Sequence, residues 1–169
     1  MNINIRPITL EDAQAIHEIR TMDGVRENIM ALTSDRITKS QSFISGLSDN
    51  QHIFVAEVEE SGGKKVVGIV GLTVNNSPRI RHSGSIGITI SKDYQGKGIG
   101  KALLNKVIDL ADNWLMLVRL ELGVFIDNER AINLYKSLGF VIEGTKKYAI
   151  IRNGKYEDEH IMARYNLGK

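Results

Sequence analysis

The sequence contains no cysteine. That removes disulfides, thiolate metal ligands and a cysteine nucleophile together. An acyl transfer carried out by this chain is therefore direct or uses another nucleophile. No apolar run approaches the roughly 18 residues that a membrane span needs. The start, Met1-Asn2-Ile3-Asn4-Ile5-Arg6, lacks the apolar core of a signal peptide, so the expected location is cytoplasmic, with no membrane partner. Charge of one sign is also scarce: 22 Lys and Arg stand against 20 Asp and Glu, a net charge of +2. Bulk charge gives no argument for nucleic acid. The histidines, His17, His52, His82 and His160, show no metal-ligand spacing, and no metal is expected. No internal repeat, linker or low-complexity segment breaks the chain. At 169 residues, 42% of them hydrophobic and 25% charged, residues 1–169 read as one soluble domain with a proper core.

What is present is a glycine-rich stretch, Tyr94-Gln95-Gly96-Lys97-Gly98-Ile99-Gly100-Lys101. An alternating apolar run precedes it and an amphipathic run follows. Glycine lets backbone N–H groups crowd a ligand without a Cβ in the way. A helix that starts there aims its free N–H groups and positive dipole end at the same point. Strand, glycine loop and helix together grip a pyrophosphate. The spacing selects among loops of this kind. A Walker loop fails at Gln95 and Ala102, and a G-x-G-x-x-G fingerprint fails at Lys101 and Leu103. Gln-x-x-Gly-x-Gly, at Gln95, Gly98 and Gly100, fits.

Along the chain, residues 2–6 read as a strand ending at Pro7. Thr9 and Asp12 form a capping-box pattern before a helical stripe of Ala13, Ile16 and Ile19. Residues 22–33 read as a loop or broken helix. Ser34 or Asp35 can cap a second helix carrying Ile37, Ile44 and Leu47. Strands follow at 52–59 and 66–74, joined by a turn at 60–64, and a polar excursion at 75–82 contains Pro78. Ile86, Ile88 and Ile90 form a strand leading into the glycine loop. The helix after it carries Leu103 through Leu115 at helical spacing. Arg119–Ile126 is a strand, and a short helix carries Ala131, Ile132, Tyr135 and Leu138. Two last strands, 140–150 and 156–165, join across Asn153-Gly154, a hairpin signal. The order is β-α-α-β-β-β-α-β-α-β-β, a mixed α/β fold.

A second motif, Asn128-Glu129-Arg130-Ala131-Ile132-Asn133-Leu134-Tyr135, ends at Leu138-Gly139-Phe140. With the glycine loop it resembles the GCN5-related N-acetyltransferases, the GNAT family. Two independent motifs lie in the right order, with one helix and one strand between them. From Ala111 onward, segments such as Asp112-Asn113-Trp114-Leu115 and Arg152-Asn153-Gly154-Lys155-Tyr156-Glu157-Asp158 look like a bacterial L-amino-acid N-acetyltransferase subgroup. The first 80 residues resemble it less clearly.

The resemblance implies a mixed, mostly antiparallel sheet flanked by helices. Its fourth and fifth strands, 85–91 and 119–126, are parallel and splay apart. It implies acetyl-CoA as cosubstrate, with the pantetheine arm lying along Ile88, Thr89 and Ile90 as an added strand would. Gln95, Gly96, Lys97, Gly98, Ile99, Gly100 and Lys101 would cradle the pyrophosphate, with charge from Lys97 and Lys101. Asn128 would bond the arm as well as cap its helix, and Asn133 would contact the nucleotide end. The Tyr135 hydroxyl would lie near the thioester sulfur as general acid.

A base is needed as well, because a free amine has a pKa near about 10. Some relatives place a glutamate where this chain has Gly123. Glu121, two residues back on the same side, is the candidate base, directly or through a water. Asp158 and Glu159 are further candidates, as base or as anchors for an amino substrate. The expected reaction is direct transfer of an acetyl group to a primary amine, with a free amino acid as one acceptor. Polyamines, aminoglycosides, protein amines, and a non-catalytic acyl-CoA-binding module are the alternatives. Dimers are common on the implied fold, and no residue pattern here argues for one.

Overall fold

The computed structural model describes residues 2–168. Its strands are β1 (Ile3–Pro7), β2 (Gln51–Glu60), β3 (Gly63–Val74), β4 (Ser83–Ile90), β5 (Arg119–Phe125), β6 (Val141–Arg152) and β7 (Lys155–Tyr165). Its α-helices are α1 (Ala13–Thr21), α2 (Ile37–Ser45), α3 (Ile99–Asp109) and α4 (Glu129–Ser137). This is the element order that the apolar periodicities predict. The strands form one sheet in the order β1-β2-β3-β4-β5-β7-β6. Only β4 and β5 pair in parallel; the other neighbours are antiparallel.

Alternation decides what each face of the sheet carries. Val70, Leu72, Ile86, Leu120, Leu122, Val124 and Met162 face α3 and α4 and pack with Leu103, Leu104, Val107, Ile132 and Tyr135. Leu103, Leu104 and Val107 are fully buried, each worth about 1.5–3 kcal/mol of apolar burial. On the opposite face Ile53, Val55 and Ile69 meet Ile16 of α1. Ser85, Gly87 and Thr89 stand on this second face, opposite Thr73, Gly71 and Ile69 of β3.

An ionic cluster fastens the start of the chain. The Arg6 guanidinium donates to both carboxylate oxygens of Asp12, at 2.8 and 2.7 Å, and to Glu57 at 2.9 Å. Asp12 Oδ2 also accepts from the Thr9 N–H at 2.8 Å, as part of the expected capping box. This ties β1, the entry to α1, and β2 together.

Two local expectations are corrected. Helix α2 begins after Arg36 without a side-chain cap. Asp35 instead accepts from the Leu32 N–H and from Lys39. The run after α3 does not continue as an α-helix to Leu115. It widens over Leu110–Trp114, where Leu115 N–H bonds Leu110 O at 3.0 Å, five residues back. Asp112 in that turn receives both arms of Arg164 from β7, at 2.8 and 2.7 Å. The expected hairpin at Asn153-Gly154 forms, with φ of 51° and 74°, the sign that a two-residue primed turn needs.

The feature that positions the site is a short pairing. Strands β4 and β5 match only at Ser83–Arg119, Gly84–Leu120 and Ser85–Glu121. Beyond that, β4 runs on to Ile90 beside β3, and β5 to Phe125 beside β7. The parallel strands splay as the resemblance implies.

Candidate functional site

A cleft of about 1450 Å³ opens where β4 and β5 part. Gly87, Ile88, Thr89 and Ile90 form one wall; Gly123, Val124 and Phe125 form the other. The same cleft touches Tyr135 and Leu134 on the α3–α4 face, and Ile16, Ile53, Ile69 and Gly71 on the α1 face. It therefore passes through the plane of the sheet. A sheet with β4 and β5 paired to their ends would be closed there.

At one end lies the glycine loop. Gly96 and Gly98 have φ of +75° and +84°, a backbone region that L side chains rarely adopt. A Cβ at either position would meet nothing in the protein. Gly98 is the N-cap of α3, and the first amide of that helix to find a protein acceptor is Ala102, on Gly98 O at 3.0 Å. Among the described residues, the amides from Gly96 to Lys101 have no acceptor. Unpaired amides, a helix N-terminus, and the Lys101 and Arg130 side chains on the same wall fit a diphosphate. Gly100 brings α3 close to α4, since a Cβ there would press on Leu134 at 3.0 Å.

The loop is held from two sides. The Gln95 amide donates to Ile90 O at 3.1 Å, and its oxygen accepts from Arg130 Nη1 at 2.6 Å. Asn128 caps α4, accepting from the Ala131 N–H at 3.3 Å, and stands on the cleft wall. The Tyr135 ring is buried, 7% exposed, and its centroid lies 6.0 Å from that of Phe140. Its hydroxyl makes no hydrogen bond within the described residues and opens on the cleft. Burial pushes that hydroxyl up to about 12 from its ordinary value.

The candidate residues divide as follows. Ile88, Thr89, Ile90, Gln95, Gly96, Gly98, Gly100, Lys101, Asn128 and Tyr135 share the cleft. Three others stand off its wall. Ile99 sends its side chain into the core, leaving only its N–H at the loop. Lys97 holds its ammonium 4.9 Å above the Tyr94 ring. Asn133 is on the exposed side of α4.

Glu121 lies where β4 and β5 still pair and does not line the large cleft. Its side chain is 43% exposed, and its carboxylate accepts from Arg119 Nε at 3.1 Å. Asp158 is engaged by the Tyr148 N–H and Lys147. Glu159 does reach the large cleft, from β7.

No local pattern marks Arg130 as a loop brace. Its partner is 35 residues back, beyond any local spacing. Arg20, in the last turn of α1, was equally silent. It stands on the cleft wall with no hydrogen-bond or ion-pair partner among the described residues.

The profile of the "Acetyltransferase (GNAT) family" matches residues 14–140. The chain is 43% identical over 99 residues to the L-amino acid N-acetyltransferase AaaT of Escherichia coli strain K12, a match spanning 59% of this chain and 61% of that relative, under two thirds of its length. It is 31% identical over 160 residues to the spermidine N(1)-acetyltransferase of Vibrio cholerae, covering 92% and 88% of the two chains. The crystal structure of an acetyltransferase of the GNAT family from Streptococcus pneumoniae superposes with a TM-score of 0.81 at 28% identity, over 97% of this chain and 99% of that one. With the glycine loop, the parted strands and the Asn128–Tyr135 helix on one cleft, and a family profile covering most of its length, this chain belongs to the acetyltransferase (GNAT) family.

Proposed function

We propose that this protein transfers an acetyl group from acetyl-CoA directly to the primary amine of a free amino acid in the cytoplasm. The observation that carries the reading is the cleft through the sheet, with unpaired amides at one end and an unpaired guanidinium on the α1 side. The amides of Gly96–Lys101, with Lys101 and Arg130, would hold the diphosphate. The free edge of β4 at Ile88–Ile90 would receive the amides of the pantetheine arm. Bound there, acetyl-CoA supplies an activated acetyl thioester. Tyr135 Oη holds a proton at the cleft wall, and its raised pKa keeps that proton in place at every working pH. It is a donor to charge that develops on a departing sulfur.

The unpaired Arg20 on the wall favours an amino acid over a polyamine. Arg20 on α1 is free to take an α-carboxylate; Lys39 of α2, on the same wall, is already held by Asp35. A polyamine carries several cations, and a site for it needs several carboxylates. The similarity to a spermidine acetyltransferase over most of the chain keeps that second reading in the test.

The test follows thiol release from acetyl-CoA against amino acids, polyamines and aminoglycosides. The reading expects turnover on α-amino acids. It also expects Arg20→Gln to raise KM for the amino acid at least tenfold, with coenzyme affinity unchanged. Turnover on spermidine alone would overturn it.

A further inference from the structure

We propose that Glu159 of β7 accepts the proton of the attacking amine, reaching the reaction through the space that Gly123 leaves open on β5. This rests on the acetyl-transfer reading above.

The register fixes which face Glu159 belongs to. It pairs with Phe125, and Ile161 pairs with Gly123. Glu159 therefore stands on the α1 face of the sheet with Gly123 and Phe125. Tyr135 stands on the α3–α4 face. Both line the one cleft, which crosses the sheet between β4 and β5. A direct transfer needs a proton acceptor where the amine arrives and a proton donor where the thiol leaves. Here the two groups occupy opposite ends of one passage.

Gly123 supplies the geometry. A Cβ built on Gly123 would collide with Glu159, and Oε1 is the first atom it would meet. The carboxylate thus fills the volume that a side chain on β5 would otherwise hold, and any larger residue at 123 would displace it. Its charge is available. Among the described residues the Glu159 carboxylate accepts no hydrogen bond, and its one ion pair is to Lys146 of β6, 3.6 Å from Oε2. The Glu159 side chain is 16% exposed, against 62% for that lysine, so the carboxylate is sheltered while its partner is solvated. Glu121, across the neighbouring hollow that Lys146 also lines, is the other charged group facing it from β5. Arg119 already holds Glu121.

The step balances as follows. The ammonium gives one proton to the Glu159 carboxylate. The freed nitrogen lone pair forms the N–C bond to the acetyl carbon, and the C–S bond breaks with its electron pair on sulfur. Tyr135 Oη gives its proton to the thiolate and is reprotonated by the second proton that the acylated nitrogen sheds, so the products are the N-acetyl amine and the free thiol. Glu159 then releases its proton to solvent.

The experiment compares wild type, Glu159→Gln, and a double variant with Glu159→Gly and Gly123→Glu, which returns a carboxylate to the same space from β5. Coenzyme A affinity by calorimetry serves as the readout of an intact cleft. The proposal expects Glu159→Gln to keep that affinity within about twofold while kcat/KM for the amine falls 10²–10⁴-fold, the range for a lost acid–base group. The variant's remaining rate should climb about tenfold per pH unit toward the amine's own pKa, and the double variant should recover at least tenfold. Full turnover by Glu159→Gln would overturn the proposal and leave the acetyl-transfer reading standing. A loss with neither the pH climb nor recovery in the double variant would also overturn it, assigning Glu159 a structural role. Failure of the acetyl-transfer reading shows separately, as wild type that acetylates no amine.

Discussion

Arg130 Nη1 donates to Gln95 Oε1 at 2.6 Å, joining the first turn of α4 to the loop that ends β4. Gln95 passes the constraint on, its amide bonded to Ile90 O at 3.1 Å. The two motifs of the sequence, far apart in the chain, are thus fastened to each other at the mouth of the cleft.

Removing either partner should loosen the glycine loop without unfolding the protein. Gln95→Leu is expected to weaken coenzyme A binding about fivefold, and Arg130→Met by more, because Arg130 also faces the diphosphate. The fivefold loss corresponds to ~1 kcal/mol for a partly exposed, charge-assisted bond. The double variant should lose less than the sum, because both changes cut the Arg130–Gln95 bond that they share. Calorimetric titration of the four proteins measures this. Strict additivity would mean the brace carries no coupling.

Gly98 holds φ at +84° as the N-cap of α3. Gly98→Ala should cost about 1–2 kcal/mol in urea unfolding, the penalty for an L residue in that region. Gly98→Asn should cost less. Gly87 has no positive φ and open space around its Cβ, so Gly87→Ala should leave stability nearly unchanged. Equal losses at the two positions would remove the backbone argument for the loop.

Tyr135→Phe should reduce turnover 10²–10⁴-fold while leaving coenzyme affinity intact. Unchanged turnover would take Tyr135 out of the reaction. Absent turnover in wild type, with tight coenzyme binding, would favour a binding module. The same variant carries a stability signature. Burial raises the hydroxyl from 10 to about 12, so folding favours the protonated form. That contribution is complete below pH 10 and is lost as pH climbs through 12. Wild type should therefore lose about 2–3 kcal/mol relative to Tyr135→Phe across that window. Parallel alkaline unfolding curves would show that the hydroxyl is not desolvated.

Arg6 neutralises two carboxylates that are almost wholly buried, Asp12 at 5% and Glu57 at 6% exposure. Arg6→Met should destabilise the fold by about 3 kcal/mol at neutral pH, because the carboxylates remain without their partner. Burial alone would raise the Asp12 pKa; the Arg6 guanidinium and the Thr9 N–H overcome it and hold it below the ordinary value. The stability that comes with a lowered carboxylate pKa is present above the ordinary aspartate range and fades as pH falls through the folded value. The gap between wild type and variant should therefore narrow in acid. A gap that widens there would contradict the assignment. Urea unfolding at several pH values decides between them.

Local chemistry determined a large part of this protein. Alternating isoleucines marked β4, the 3.6-residue stripe of Leu103, Leu104 and Val107 marked α3, and Asn153-Gly154 marked the hairpin, because each pattern acts within a few residues. The glycine spacing and the Asn128–Tyr135 helix pointed to the family for the same reason. Three things depended on the folded chain. The register of β7 on β5 put Glu159, rather than Glu121, beside the space at Gly123. The reach of Arg130 across 35 residues braced the loop. The parting of β4 from β5 after Ser85 opened the passage through the sheet. Strand pairing and long side-chain contacts join residues remote in sequence, and only the packed sheet decides which of them meet.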